Sequence, residues 1–70
     1  MKTIFLNFLN FPELDEALKE AKKLSNKNSI VLHVIKSIND ENEQVYYVDE
    51  NGLIRVWEEL IATFENGVKI

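Results

Sequence analysis

Residues 29–38 read SIVLHVIKSI, and this run decides the fold. In a strand, successive side chains alternate between faces. Ile30, Leu32 and Val34 then project to one side, and Val31, His33 and Ile35 to the other. Both sides are apolar and the run is rich in β-branched residues, so it reads as a central strand or as one whose second face is covered.

N-terminal to it lies the best-signalled helix. Asn10 followed by Glu13 fits a capping box, and Leu9 with Leu14 a hydrophobic staple. Pro12 suits a first turn, where no amide donor is needed. Leu14, Ala17, Leu18, Ala21 and Leu24 recur at helical spacing. Acids crowd the start and Lys22 and Lys23 the end, complementing the helix dipole. Asn26 or Asn28 is the expected stop. Residues 2–8 alternate well enough to add a strand before the helix.

C-terminal to the central run, Asn39-Asp40-Glu41-Asn42 is a turn. Residues 44–48 hold Val45, Tyr46, Tyr47 and Val48, a second strand. Asn51-Gly52 is a hairpin signal that returns the chain as a third strand over 53–56. From Val56 onward two readings compete. As a helix, Val56, Trp57, Leu60, Ile61 and Phe64 share a sector of about 140°, and Asn66-Gly67 is the stop. As a strand, Asn66-Gly67 is another hairpin turn. Alternation between Trp57 and Phe64 is poor, so the helix is expected. The fold class is therefore α+β, in one domain spanning 1–70. The expected order is (β)-α-β-β-β-α: a small antiparallel sheet of three to four strands with two helices.

The chain has 70 residues, 46% of them apolar, one His and no Cys. A chain of this length buries only about 60–65% of its unfolded surface, so its core is small. No disulfide or cysteine metal site can brace it, and oligomerisation is a common substitute. No apolar stretch approaches the roughly 18 residues of a membrane span. A soluble cytoplasmic protein is expected.

Charge is unevenly spread. Residues 37–66 carry eight carboxylates and Arg55 alone as a base, a net of −7. Residues 1–36 net +2, and Lys69 completes the overall −4. Catalysis finds little support. His33 is the lone imidazole and lies amid Val31, Leu32, Val34 and Ile35, where a sheet-face histidine is the plain reading. No cofactor or metal is implied. Asp40, Glu41 and Glu43 lack the spacing of a calcium loop. The element order is also that of double-stranded-RNA-binding domains, but Glu58 and Glu59 stand where those domains need cations. Direct nucleic-acid binding is not expected.

An antiparallel meander would gather Asp40, Glu41, Glu43, Glu58 and Glu59 at one end of the sheet. Asp49 and Glu50 would lie at the other end, near Lys22, Lys23 and Lys27. An acidic end patch steers association with a basic partner. Tyr46 and Trp57 are of the types that anchor interfaces.

Residues 30–68 resemble part of a known type, the small acidic phage-encoded anti-CRISPR proteins that block the CRISPR nuclease. The likeness rests on a strand ending in Asn39-Asp40-x-Asn42-Glu43, a Tyr/Val strand, an acidic turn, and an amphipathic helix closing with Phe64-x-Asn66-Gly67. The resemblance implies an α-β-β-β-α core. It also implies a stoichiometric inhibitor that occupies a basic nucleic-acid channel in the host cytoplasm, its carboxylates standing in for phosphates. The expected function is thus a non-enzymatic protein-binding module, with Asp40, Glu41, Glu43, Glu58, Glu59, Tyr46 and Trp57 as contact residues. The alternative is a homodimeric structural or regulatory protein. Its seam would be the apolar faces of 29–38 with Trp57 or the tyrosines, and the acids would serve solubility.

Overall fold

The structure, a computed structural model, describes residues 9–70. The strand expected over residues 2–8 lies outside them, and so does the Leu9 side chain that the staple requires. The elements run β1 (Leu9–Phe11), α1 (Leu14–Asn28), β2 (Val31–Ile38), β3 (Gln44–Asp49), β4 (Glu59–Glu65) and β5 (Val68–Lys69). The fold is α+β. One helix packs on a five-stranded antiparallel sheet of order β1-β3-β2-β4-β5.

β2 is the central strand, as its two apolar faces require. It pairs with β3 on one side and β4 on the other. Because β3 and β4 both run antiparallel to β2, they are parallel to each other, and the chain between them must cross β2. The same holds for β1 and β2, which flank β3. The fold therefore contains two crossovers that step the same way across the sheet from oppositely directed strands. Crossovers of one hand must then lie on opposite faces, and the strong preference for right-handed connections supplies that common hand. One crossover is α1. The other is the irregular strap of residues 50–58.

On the α1 face, Ala17 and Ala21 let the helix approach the sheet closely. Leu32, Val34, Val48, Ala62 and Phe64 complete the buried core, with Leu14, Leu18, Leu24 and Ile61 packed against it. The helix does not start where the capping box would place it. Asn10 is held in β1 opposite Tyr47, the first helical residue is Leu14, and Glu13 takes the cap position without a side-chain bond. Pro12 explains the delay, since the residue before a proline is driven to extended backbone. The helix stops after Asn28. Ser29 is left-handed (φ 55°) and its amide returns to the Ser25 carbonyl.

Residues 56–66 are not a helix, and residues 53–56 are not a strand. β4 carries a bulge: β2 pairs Val34 with Ala62 but Ile35 with Leu60, leaving Ile61 as the extra residue. Ile61 and Ala62 consequently both serve the α1 side. That places Ile61 and Phe64 three apart on one face, which is also a helical interval. Asn66-Gly67 makes the β4–β5 turn, with Asn66 at φ 53° and Gly67 at φ 83°. The turn is clasped to the helix: the Gly67 amide donates to Ser25 Oγ at 2.9 Å, and Ser25 Oγ donates to the Lys22 carbonyl. A side chain at Gly67 would meet the Asn26 Cβ at 2.8 Å.

Candidate functional site

The turn between β2 and β3 is built by one side chain. Asn39 Oδ1 accepts the amides of Glu41 and Glu43, each at 2.9 Å. The Asn39 amide donates to the Glu43 carbonyl and the Asn42 amide to the Asn39 carbonyl. Asn42 takes the left-handed conformation the turn needs (φ 68°). The result is a self-bonded loop that holds Asp40, Glu41 and Glu43 out in solvent.

Glu58 and Glu59 reach the same end of the sheet, though by a route other than the meander. β4 enters beside the C-terminal half of β2, so Glu59 lies opposite Lys36. Their charges are not free as the sequence suggested. Glu59 pairs with Lys36 at 3.9 Å, an exposed contact of little energetic weight. Glu58 is turned inward. Burial opposes its charge, but the Ser37 hydroxyl, the Arg55 amide and the Arg55 guanidinium outweigh that cost and hold its carboxyl below the usual value. Glu58 is therefore a latch that fastens the strap to β2, not a surface contact. The free acidic surface reduces to Asp40, Glu41 and Glu43.

The aromatic residues divide as well. Tyr46 faces α1 and packs on the core, and its hydroxyl accepts from Gln44 Nε2 at 3.0 Å. Trp57 is 57% exposed, with the Arg55 guanidinium 5.8 Å above its ring. Trp57 and Val56 line a recess at the end of the sheet with Lys36, Ile38, Gln44 and Glu59. An apolar centre thus sits beside the acidic turn. Sequence reasoning missed Ile38, Val56 and Arg55 in this role. The signal was present in the run LIRVW at 53–57, where four of five residues are apolar and do not alternate.

Asp49 and Glu50 do not meet the lysines of α1, and neither forms an ion pair among the described residues. Asp49 lies opposite His33 on the strap face, which is the far side of the sheet from α1. His33 Nδ1 and Thr63 Oγ1 are 2.9 Å apart. Gly52 (φ 72°) passes so closely that a Cβ there would come within 2.8 Å of the imidazole. Beneath the strap a cleft of about 550 Å³ remains between Ile35 and Tyr47 below and Leu53, Ile54 and Arg55 above. Among the described residues no group of three or more His, Asp or Glu side chains is arranged to hold a metal ion. No helix among them is long and apolar enough to cross a membrane.

Of the run 29–38 expected to form a homodimer seam, Val31 and Ile38 are exposed. Leu32, Val34 and Ile35 are buried within the monomer, by α1 on one face and by the strap on the other. No protein family model, no curated protein and no solved structure matches the chain.

Proposed function

We propose that the protein is a non-enzymatic binding module. It sets the acidic turn Asp40, Glu41 and Glu43, with Trp57 beside it, against a basic surface of another protein. The observation that carries the reading is the construction of the turn. Asn39 ties down the backbone of the loop that carries three exposed carboxylates, so little conformational freedom is lost when a partner binds. Trp57 supplies the large apolar group that commonly anchors such a contact, and Arg55 stiffens it. Glu59 adds a weaker charge, shared with Lys36.

A rigid row of carboxylates next to an aromatic is suited to a groove that otherwise takes nucleic acid. The specific form of the proposal is a phage anti-defence inhibitor acting in the host cytoplasm, whose target is a CRISPR nuclease or another nucleic-acid-processing protein. The test is displacement of DNA from a guide-loaded CRISPR nuclease by the purified chain. Displacement should be stoichiometric and weaken steeply with salt, because screened charges drive it. Reversing Asp40, Glu41 and Glu43 to Lys should abolish it. Trp57→Ala should weaken it about tenfold or more. An affinity that holds constant from low to high salt would rule out the electrostatic contact, and DNA binding untouched by excess protein would remove this target.

A further inference from the structure

We infer that the cleft beneath the strap is a binding site for a small organic cation, an amine carried on an apolar body. The site is separate from the acidic turn. Its volume of about 550 Å³ falls within the roughly 300–1,000 Å³ of small-molecule pockets. The strap cannot settle onto the floor of the cleft, because it is tied down on both sides of the gap. At one end Gly52 lies so close to the His33 ring that a Cβ would come within 2.8 Å of it. At the other, Glu58 accepts from the Ser37 hydroxyl and from the Arg55 amide. A guest therefore meets a formed site and does not have to order the strap on arrival.

Charge selects the occupant. The walls are largely apolar, with Ile35 and Tyr47 on the sheet and Leu53 and Ile54 on the strap. Leu53 is 79% exposed and Ile54 45%, so the strap side is available to a guest. Tyr47 and Asp49 are two apart on β3, which sets the Asp49 carboxylate on the cleft side with the Tyr47 ring. Of the charged groups lining the cleft, Arg55 and Glu58 answer each other at 3.4 Å. Asp49 has no ion-pair partner among the described residues. His33, opposite it on β2, does not serve: its Nδ1 lies 2.9 Å from Thr63 Oγ1, and Gly52 packs on the ring. The lining thus carries one uncompensated negative charge beside apolar walls. A guest that fills the cleft strips water from Asp49, and a carboxylate without water or a partner is strongly disfavoured. A neutral guest leaves it so, and an anion repels it. An ammonium group donates to the carboxylate while its apolar body covers Leu53 and Ile54.

The test is a titration of the isotope-labelled full chain, followed by amide NMR shifts, with benzylammonium, benzyl alcohol and benzoate. These probes are near-isosteric and differ in charge. Benzylammonium should shift the amides of Tyr47, Asp49, Leu53 and Ile54 along one saturating curve, with a Kd of about 1–10 mM for a ligand of this size. Benzyl alcohol and benzoate should each bind about tenfold more weakly or worse. Asp49→Asn should weaken the amine about tenfold and leave the alcohol unchanged. Leu53→Ala should weaken the amine about threefold. The D40K/E41K/E43K chain should bind it within about twofold of the parent, which keeps the cleft distinct from the acidic turn. No saturable shift up to about 50 mM amine overturns the proposal. So does an alcohol or a benzoate that binds as well as the amine, or an affinity that neither single variant changes. Amine shifts confined to residues 40–43 overturn it too, since charge alone would then recruit the cation.

Discussion

The two faces of the sheet are each covered by a crossover, yet only one is sealed. On the first face α1 repeats small and branched residues every three or four positions, and Ala17 and Ala21 bring its axis close enough to exclude water from Leu32, Val34 and Val48. On the second face the crossover is only residues 50–58. That is fewer than the dozen or so residues a helical crossover uses, so no periodic face can form. The strap is fixed at Gly52 over His33 and at Glu58 on Ser37, and it bridges a cleft between those points. Apolar content is similar on the two sides. What differs is whether the apolar residues come at a spacing that a regular element can turn inward.

If that contrast is right, substitutions on the two faces should differ sharply in cost. The largest effect is expected from Leu32→Ala beneath α1. Leu32 is fully buried, and its truncation should cost about 3 kcal/mol in urea unfolding. A loss below about 1 kcal/mol would mean that this face is not the seat of stability. Next comes Gly52→Ala. It combines a left-handed backbone (φ 72°) with a Cβ that would meet the His33 ring at 2.8 Å, and should cost about 2 kcal/mol. An alanine tolerated at no cost would show that the strap lifts from His33 freely.

The latch should matter less. Ser37→Ala removes one hydroxyl bond to a carboxylate and should cost about 1–2 kcal/mol. Its signature is in pH. The folded-state value of Glu58 lies below its ordinary 4.5. The latch therefore contributes in full above that value and is lost as pH falls through the folded one. Urea midpoints measured from neutral pH down to acid should fall less in Glu58→Gln than in the parent. An identical acid limb in the two proteins would remove the latch. The smallest effect is expected from Leu53→Ala on the strap, within about 0.5 kcal/mol for the dilute monomer. A loss above about 1.5 kcal/mol would show that the strap packs as tightly as the helix does.

Local periodicity is legible in the amino-acid sequence, whereas the choice of strand partners is not. SIVLHVIKSI announces a central strand because both of its faces are apolar, and α1 is legible from its Leu/Ala stripe. Asn66-Gly67 was readable as a hairpin turn as well as a helix stop. The last strand was misread because the bulge at Ile61 puts two successive residues on the same side, and Ile61 with Phe64 then imitates a helical interval. Asn51-Gly52 looked like a hairpin because nothing local reports that β4 joins β2 rather than β3. Gly52 is needed for its left-handed backbone over His33, not for a two-residue turn. The acidic turn was correctly picked out as exposed. Glu58 was not, because its inward orientation depends on Ser37, which lies 21 residues away in the chain.

The crossing strap also fixes an order of events during folding. β2 and β3 are joined by the short turn 39–43, so their hairpin closes a small loop and can form within microseconds. β4 cannot find β2 until the chain has passed over the finished face, and such non-local pairing is the slow kind. The strap must be laid down before the sheet is complete, and a nascent chain lacking β4 exposes the edge of β2 to any other strand. Pulse-labelled hydrogen exchange should protect the amides of β2 and β3 first and those of β4 and β5 last.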